Sequence, residues 1–201
     1  MKRATLLFLI ALAGCGLEAD PAGGAAAVEA GSMDEAFARC TGGDLEDGIA
    51  ALDATVRETD GAPDPLVLRG LCYWTRWDQS GDASDAEQAY SDLSSAITAI
   101  EDGASAAMPL DRVYSHRAFV AQALDGGWER TVEDLGRATE LAPDNATHAI
   151  DYGVARALVQ DTAGARREFR RFLSLTDDST DAERRDLAES LLDDLEDGSA
   201  E

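Results

Sequence analysis

The chain has 201 residues, enough for one or two domains, with 40 acidic against 17 basic residues and a formal net charge of −23. A surface of that sign repels phosphate backbones and anionic headgroups, which argues against nucleic-acid binding and favours basic or apolar partners. General solvation, a saline habitat or a biased genome would produce the same acidity.

The first element is an address. Met1-Lys2-Arg3 is a short positive region, Ala4 to Ala13 is apolar, and small residues follow. That pattern predicts a secretory signal over residues 1–14, too short for a spanning helix. It ends in Leu12-Ala13-Gly14-Cys15, which resembles the bacterial lipobox. The resemblance implies cleavage before Cys15, lipid on that cysteine, and a body tethered to a membrane of the cell envelope. Gly16 follows rather than an aspartate, and the choice of inner or outer membrane stays open. Residues 15–31 read as the lipidated flexible tether, in which residues 17–31, as 15 residues of random coil, span about 20–25 Å. Removing Lys2 and Arg3 moves the net charge by two, to −25, and leaves arginine as the only basic residue type. Cys40 and Cys72 remain as an even pair in an exported chain, either a disulfide or two separate buried thiols.

Helical periodicity then runs to the end of the chain. Ser32–Cys40 and Gly43–Thr59 read as a first helix pair. Leu68–Trp74 and Ala86–Ile100 read as the cores of a second, with about seven extra residues placed in a loop over Trp77–Asp85. Residues 112–145 and 146–179 are a third and a fourth pair. They align at a constant offset of 34: Val120, Ala121, Ala123 and Leu124 fall on Val154, Ala155, Ala157 and Leu158, then Leu135 on Phe169 and Leu141 on Leu175. A final helix is expected at about 180–196, with Leu187, Leu191, Leu192 and Leu195 on one stripe. Capping boxes are expected at Ser32 with Glu35, Ser84 with Glu87, and Thr180 with Glu183.

A helix pair repeated every 34 residues resembles the tetratricopeptide repeat (TPR) family. The residues that carry the resemblance are Gly153, Ala165 and Phe169 in the fourth pair and Ala138 and Pro143 in the third; Gly70, Ala89, Leu93, Gly48 and Leu52 fit more loosely. Phe119 and Thr131 depart from the pattern, standing where the family has small residues. The resemblance implies an all-α fold, a right-handed superhelical stack of about four helix pairs over 32–178. A C-terminal capping helix and acidic tail would follow over 179–201. It also implies a concave groove lined by the first helix of each pair. That puts Val67, Leu71 and Trp74 in pair two, His116, Val120 and Ala123 in pair three, and Ile150, Val154 and Ala157 in pair four.

No enzyme is expected. The two histidines, His116 and His148, belong to no HExxH or nucleophile elbow and read as surface or groove residues. The loop from Asp78 to Gln88 spaces its acids like a calcium site but lacks the central glycine, so no metal and no cofactor is expected. Arg166–Phe172 (RREFRRF) is either a docking patch or a set of local ion pairs, and the Tyr73, Trp74, Trp77 cluster is either core or groove. The resulting expectation is a membrane-tethered scaffold that holds an apolar or basic segment of another envelope protein in its groove. The alternative is an acidic envelope surface protein that solvates or sequesters cations without a peptide partner.

Overall fold

The computed structural model describes residues 30–197. Cys15, the signal 1–14 and the tether up to residue 29 lie outside the described residues, as do residues 198–201. The described chain is all-α, with nine helices and no strand among the described residues. They are α1 Ala30–Gly42, α2 Leu45–Glu58, α3 Pro63–Ser80, α4 Ala83–Glu101, α5 Leu110–Ala121, α6 Gly127–Leu141, α7 Ala146–Leu158, α8 Thr162–Leu175 and α9 Asp178–Asp197. Two compact units divide them. One runs through α5 to Gly127 and the other begins at Trp128, so the division falls inside what the repeat pattern treats as pair three.

In the first unit α2, α3 and α4 pack side by side in alternating directions. Small residues permit the approach. A Cβ on Gly70 of α3 would lie 3.2 Å from Leu93 Cγ and 3.3 Å from the Ala89 carbonyl of α4. Ala86, Ala89, Leu93 and Ala96 put α4's apolar stripe fully out of water. Beneath α2, Ala36, Cys40, Leu45, Ile49, Leu52 and Cys72 form one buried cluster, with Phe37, Leu68 and Tyr73 packed against it.

The insertion in pair two is not a loop. α3 continues to Ser80 and α4 starts at Ala83, so the extra residues lengthen both helices and only Gly81 and Asp82 connect them. Gly81 takes the left-handed conformation (φ 71°) that a side chain would resist, and closes α3. Asp82 rather than Ser84 is the N-cap of α4, its carboxylate accepting from the Ser84 N–H at 3.0 Å. A charged acceptor two residues earlier satisfies the first free amides and suits the positive helix end. Ser32 likewise lies inside α1, which begins at Ala30.

In the second unit α7 packs on α8, and α8 on α9. Gly153 of α7 faces Phe169 of α8 so closely that a Cβ would sit 2.6 Å from the ring. This repeats the relation of Gly70 to Leu93. Leu135, Ala138, Ala165, Phe169 and Phe172 are buried. Helix α9 is kinked at Asp181 (φ −140°, ψ 31°) and docks through Ala188 and Leu192. Arginines fasten it. Arg185 donates to the carbonyls of Leu173 (2.8 Å) and Thr176 (2.7 Å), Arg184 reaches Thr147 Oγ1 of α7 (3.3 Å), and Arg166 donates to the Leu195 carbonyl.

Candidate interaction surface

The nine groove positions separate into two groups. Val67, Leu71, Val120, Ile150 and Val154 are buried, each 9% exposed or less. They are core of this chain and present no apolar surface to water, a correction to the groove expected of them. The reason is geometric: a helix in a bundle buries a stripe wider than one residue per turn, and β-branched or leucine side chains fill that stripe. Trp74, His116, Ala123 and Ala157 are half-buried, and the open part of the expected lining reduces to these four.

Cys40 of α1 and Cys72 of α3 are bonded to each other, with sulfurs at 2.08 Å and alpha carbons at 5.5 Å. Both are sequestered from solvent. Gly48 of α2 leaves the room they need, since a Cβ there would lie 2.5 Å from the Cys40 sulfur.

A charged ladder runs across α2, α3 and α4. Arg69 of α3 forks onto Asp92 of α4, Nε to Oδ2 and Nη2 to Oδ1 both at 2.7 Å, and its Nη1 reaches Asp53 of α2 at 2.7 Å. Two turns along, Arg76 forks onto Asp85 of α4 (3.0 and 2.6 Å) and reaches Glu46 of α2 at 2.8 Å. The three pairs of residues, 46 and 53, 69 and 76, 85 and 92, are each seven apart, so antiparallel helices bring them into two rungs. Hydrogen bonds to the aspartates of α4 hold both guanidinium groups charged well above their ordinary range. This ladder went unread in the sequence, where each charge alone looks like part of a solvated face. The shared spacing of seven on three consecutive helices is the signal that would have found it.

On another face of α3, Trp74 and Trp77 stack with ring centroids 4.4 Å apart and an interplanar angle of 22°. Both are half-buried. The Arg76 guanidinium lies over the Tyr73 ring at 5.1 Å.

In the second unit, His148 is buried rather than on the surface. It shares an i, i+3, i+7 stripe of α7 with Asp151 and Ala155, both also buried. Asp151 is 3% exposed and its Oδ2 has no hydrogen-bond partner among the described residues. Burial pushes its carboxyl up to about 7, opposed by the charge of Arg184. Thr147, one turn before Asp151 on the same helix, has its hydroxyl engaged by Arg184 at 3.3 Å.

The RREFRRF run is largely engaged within its own unit. Arg170 pairs with Glu196 of α9 at 2.7 Å, Arg166 with the Leu195 carbonyl, and Arg171 with Glu168 (3.3 Å) and the Pro143 carbonyl. Of the acids in the calcium-like stretch, Asp85 belongs to the ladder and Asp82 to the α4 cap. No group of His, Cys, Asp and Glu that could hold a metal occurs among the described residues, nor is any described helix long and apolar enough to cross a membrane. No family model matches the chain, and no curated protein matches it.

Proposed function

We propose that this chain is a lipid-anchored scaffold of the bacterial cell envelope, built from TPR-like helix pairs, that holds a segment of another envelope protein. In this reading Cys15 carries the lipid, residues 15–31 are the tether, and four helix pairs form a right-handed superhelix with α9 as its cap. It has no catalytic role and needs no cofactor.

The observation that carries the reading is the repeated packing of a first-helix glycine against the large residue of the second helix. Gly70 with Leu93 and Gly153 with Phe169 occupy corresponding places in two pairs. A repeat that recurs in packing as well as in letters builds a modular surface, which is how solenoid proteins bind extended partners. The buried Cys40–Cys72 bond supports a compartment outside the reducing cytosol. The net charge of −23 supports a basic or apolar partner. Burial of five of the nine groove positions favours the second reading, an acidic surface protein with no peptide partner.

Photo-crosslinking from Trp74 and Ala123 positions in intact cells separates the two. The scaffold reading expects one reproducible crosslinked envelope protein; a smear without a discrete partner supports the solvating role. Mass spectrometry of the mature N-terminus tests the anchor, and an unmodified Cys15 would refute it.

A further inference from the structure

Pair two displays something pair four does not. From the shared glycine to the end of the first helix is ten residues in α3 (Gly70 to Ser80) and five in α7 (Gly153 to Leu158). Measured to the equivalent buried alanine, Ala89 in α4 and Ala165 in α8, the second helix begins six residues earlier in α4 (Ala83) and three earlier in α8 (Thr162). The α3–α4 hairpin therefore reaches further than its counterpart by about a turn in each arm. Its tip is braced, not loose. Arg76 forks onto Asp85 across the hairpin and ties both to Glu46 of α2.

Two indoles sit on this extension and just below it. Trp77 stacks on Trp74, and both remain partly open to water. Residues 77–87 contain Asp78, Asp82, Asp85 and Glu87 and no basic residue. Asp85 is neutralised by Arg76, while Asp78, Asp82 and Glu87 are exposed. Arg76 already lies over Tyr73 and between two carboxylates, so its guanidinium is committed elsewhere.

We propose that the tip of the α3–α4 hairpin is a docking point for a basic peptide segment, whose arginine lies flat on the Trp74–Trp77 stack. An indole face attracts a cation through its quadrupole, and the planar guanidinium of arginine also stacks on it. The surrounding carboxylates supply the complementary charge. A rigid helical tip presents the rings already ordered, so little is lost in fixing them on binding. The proposal rests on the scaffold reading only in requiring a protein partner, and it names the chemistry of that partner's contact.

The test uses the mature chain with Cys15→Ser and three twelve-residue probes in which leucine alternates with arginine, lysine or glutamate. Tryptophan fluorescence and calorimetry follow binding. The arginine probe is expected to bind best and the glutamate probe worst, with affinity falling as salt rises. Trp77→Leu is expected to weaken the arginine probe about fivefold, the scale of one cation–π contact, while Trp77→Phe keeps most of the affinity. Asp78→Arg, an exposed change that leaves the core untouched, is expected to weaken it similarly. Unchanged affinity in both Trp77→Leu and Asp78→Arg overturns the docking point and leaves the scaffold reading standing. Failure of all three probes, or equal binding of arginine and glutamate probes, overturns the docking point. A blue shift with phosphatidylcholine vesicles and none with the probes would assign the indoles to a membrane surface and overturn it too.

Discussion

Replacing Arg69 with leucine isolates the value of the charged ladder. The substitution removes two 2.7 Å hydrogen bonds to Asp92, whose side chain is 3% exposed, and one to Asp53, whose side chain is 34% exposed. The second loss is minor, because a pair that open to solvent contributes about 0.2–1 kcal/mol. The first is not. Asp92 would keep only the Gln88 amide at 3.1 Å, and a buried carboxylate stripped of its cation costs about 3–5 kcal/mol. Arg69 is itself 15% exposed, so the lower half of that range applies, and about 3–4 kcal/mol is expected in all. Asp53→Asn should cost less than about 1 kcal/mol. Arg69→Leu combined with Asp92→Leu should recover most of the loss, since removing both partners leaves no orphaned charge. Urea unfolding, read by circular dichroism and by tryptophan emission, measures all three variants. If Arg69→Leu costs no more than Asp53→Asn, or if the double variant is as unstable as Arg69→Leu alone, the ladder is not what holds α2, α3 and α4 together.

The buried acid gives the opposite kind of effect. Asp151 titrates at about 7 in the fold against 3.8 in the open chain, so between those values the native state binds the extra proton and stability falls as pH rises. Asp151→Asn should be near neutral at pH 4 and stabilising by up to about 4 kcal/mol at pH 8, as paired thermal melts across that range would read; a pH-independent difference refutes it. Gly153→Ala should destabilise by about 1–3 kcal/mol through the Cβ set 2.6 Å from Phe169, and Phe169→Leu in the same chain should return part of that, both read by urea midpoint. Replacing both Cys40 and Cys72 by serine should cost about 3–4 kcal/mol for a loop of 32 residues. In the native chain neither thiol should take up iodoacetamide until reductant and denaturant are both present, and labelling without reductant would show the bond is not formed.

What was legible in the sequence was the alternation of helices. A constant offset of 34 aligned Val120 with Val154 and Leu135 with Phe169, and helix-period patterning gave the order of nine helices, though α3 runs from Pro63 to Ser80, well beyond the Leu68–Trp74 core read for it. The seven extra residues of pair two misled because Ser80, Gly81, Asp82 and Ser84 are all turn formers, and composition cannot tell that Gly81 and Asp82 alone make the turn. The groove was legible as a set of helix positions but not as a surface. Whether Val67 or Val154 faces water depends on what packs over it, and that is tertiary information. Asp151 was illegible for a related reason. An acid within a helix of an acidic chain reads as solvated, and only its place on the stripe of His148 and Ala155 puts it inside.

The Cys40–Cys72 bond joins α1 to α3 and encloses α2 in a covalent ring. A pull on the chain from its N-terminal side therefore peels α1 only as far as Cys40. Beyond that point the load crosses the sulfur bridge into α3 and leaves α2 slack. The chain from Cys40 to Cys72, a sequence separation of 32, becomes hidden length, about 110 Å of extension that appears only when the bond is reduced. Mechanically, the first unit is held by α3, the same helix that carries both rungs of arginine and the stacked indoles.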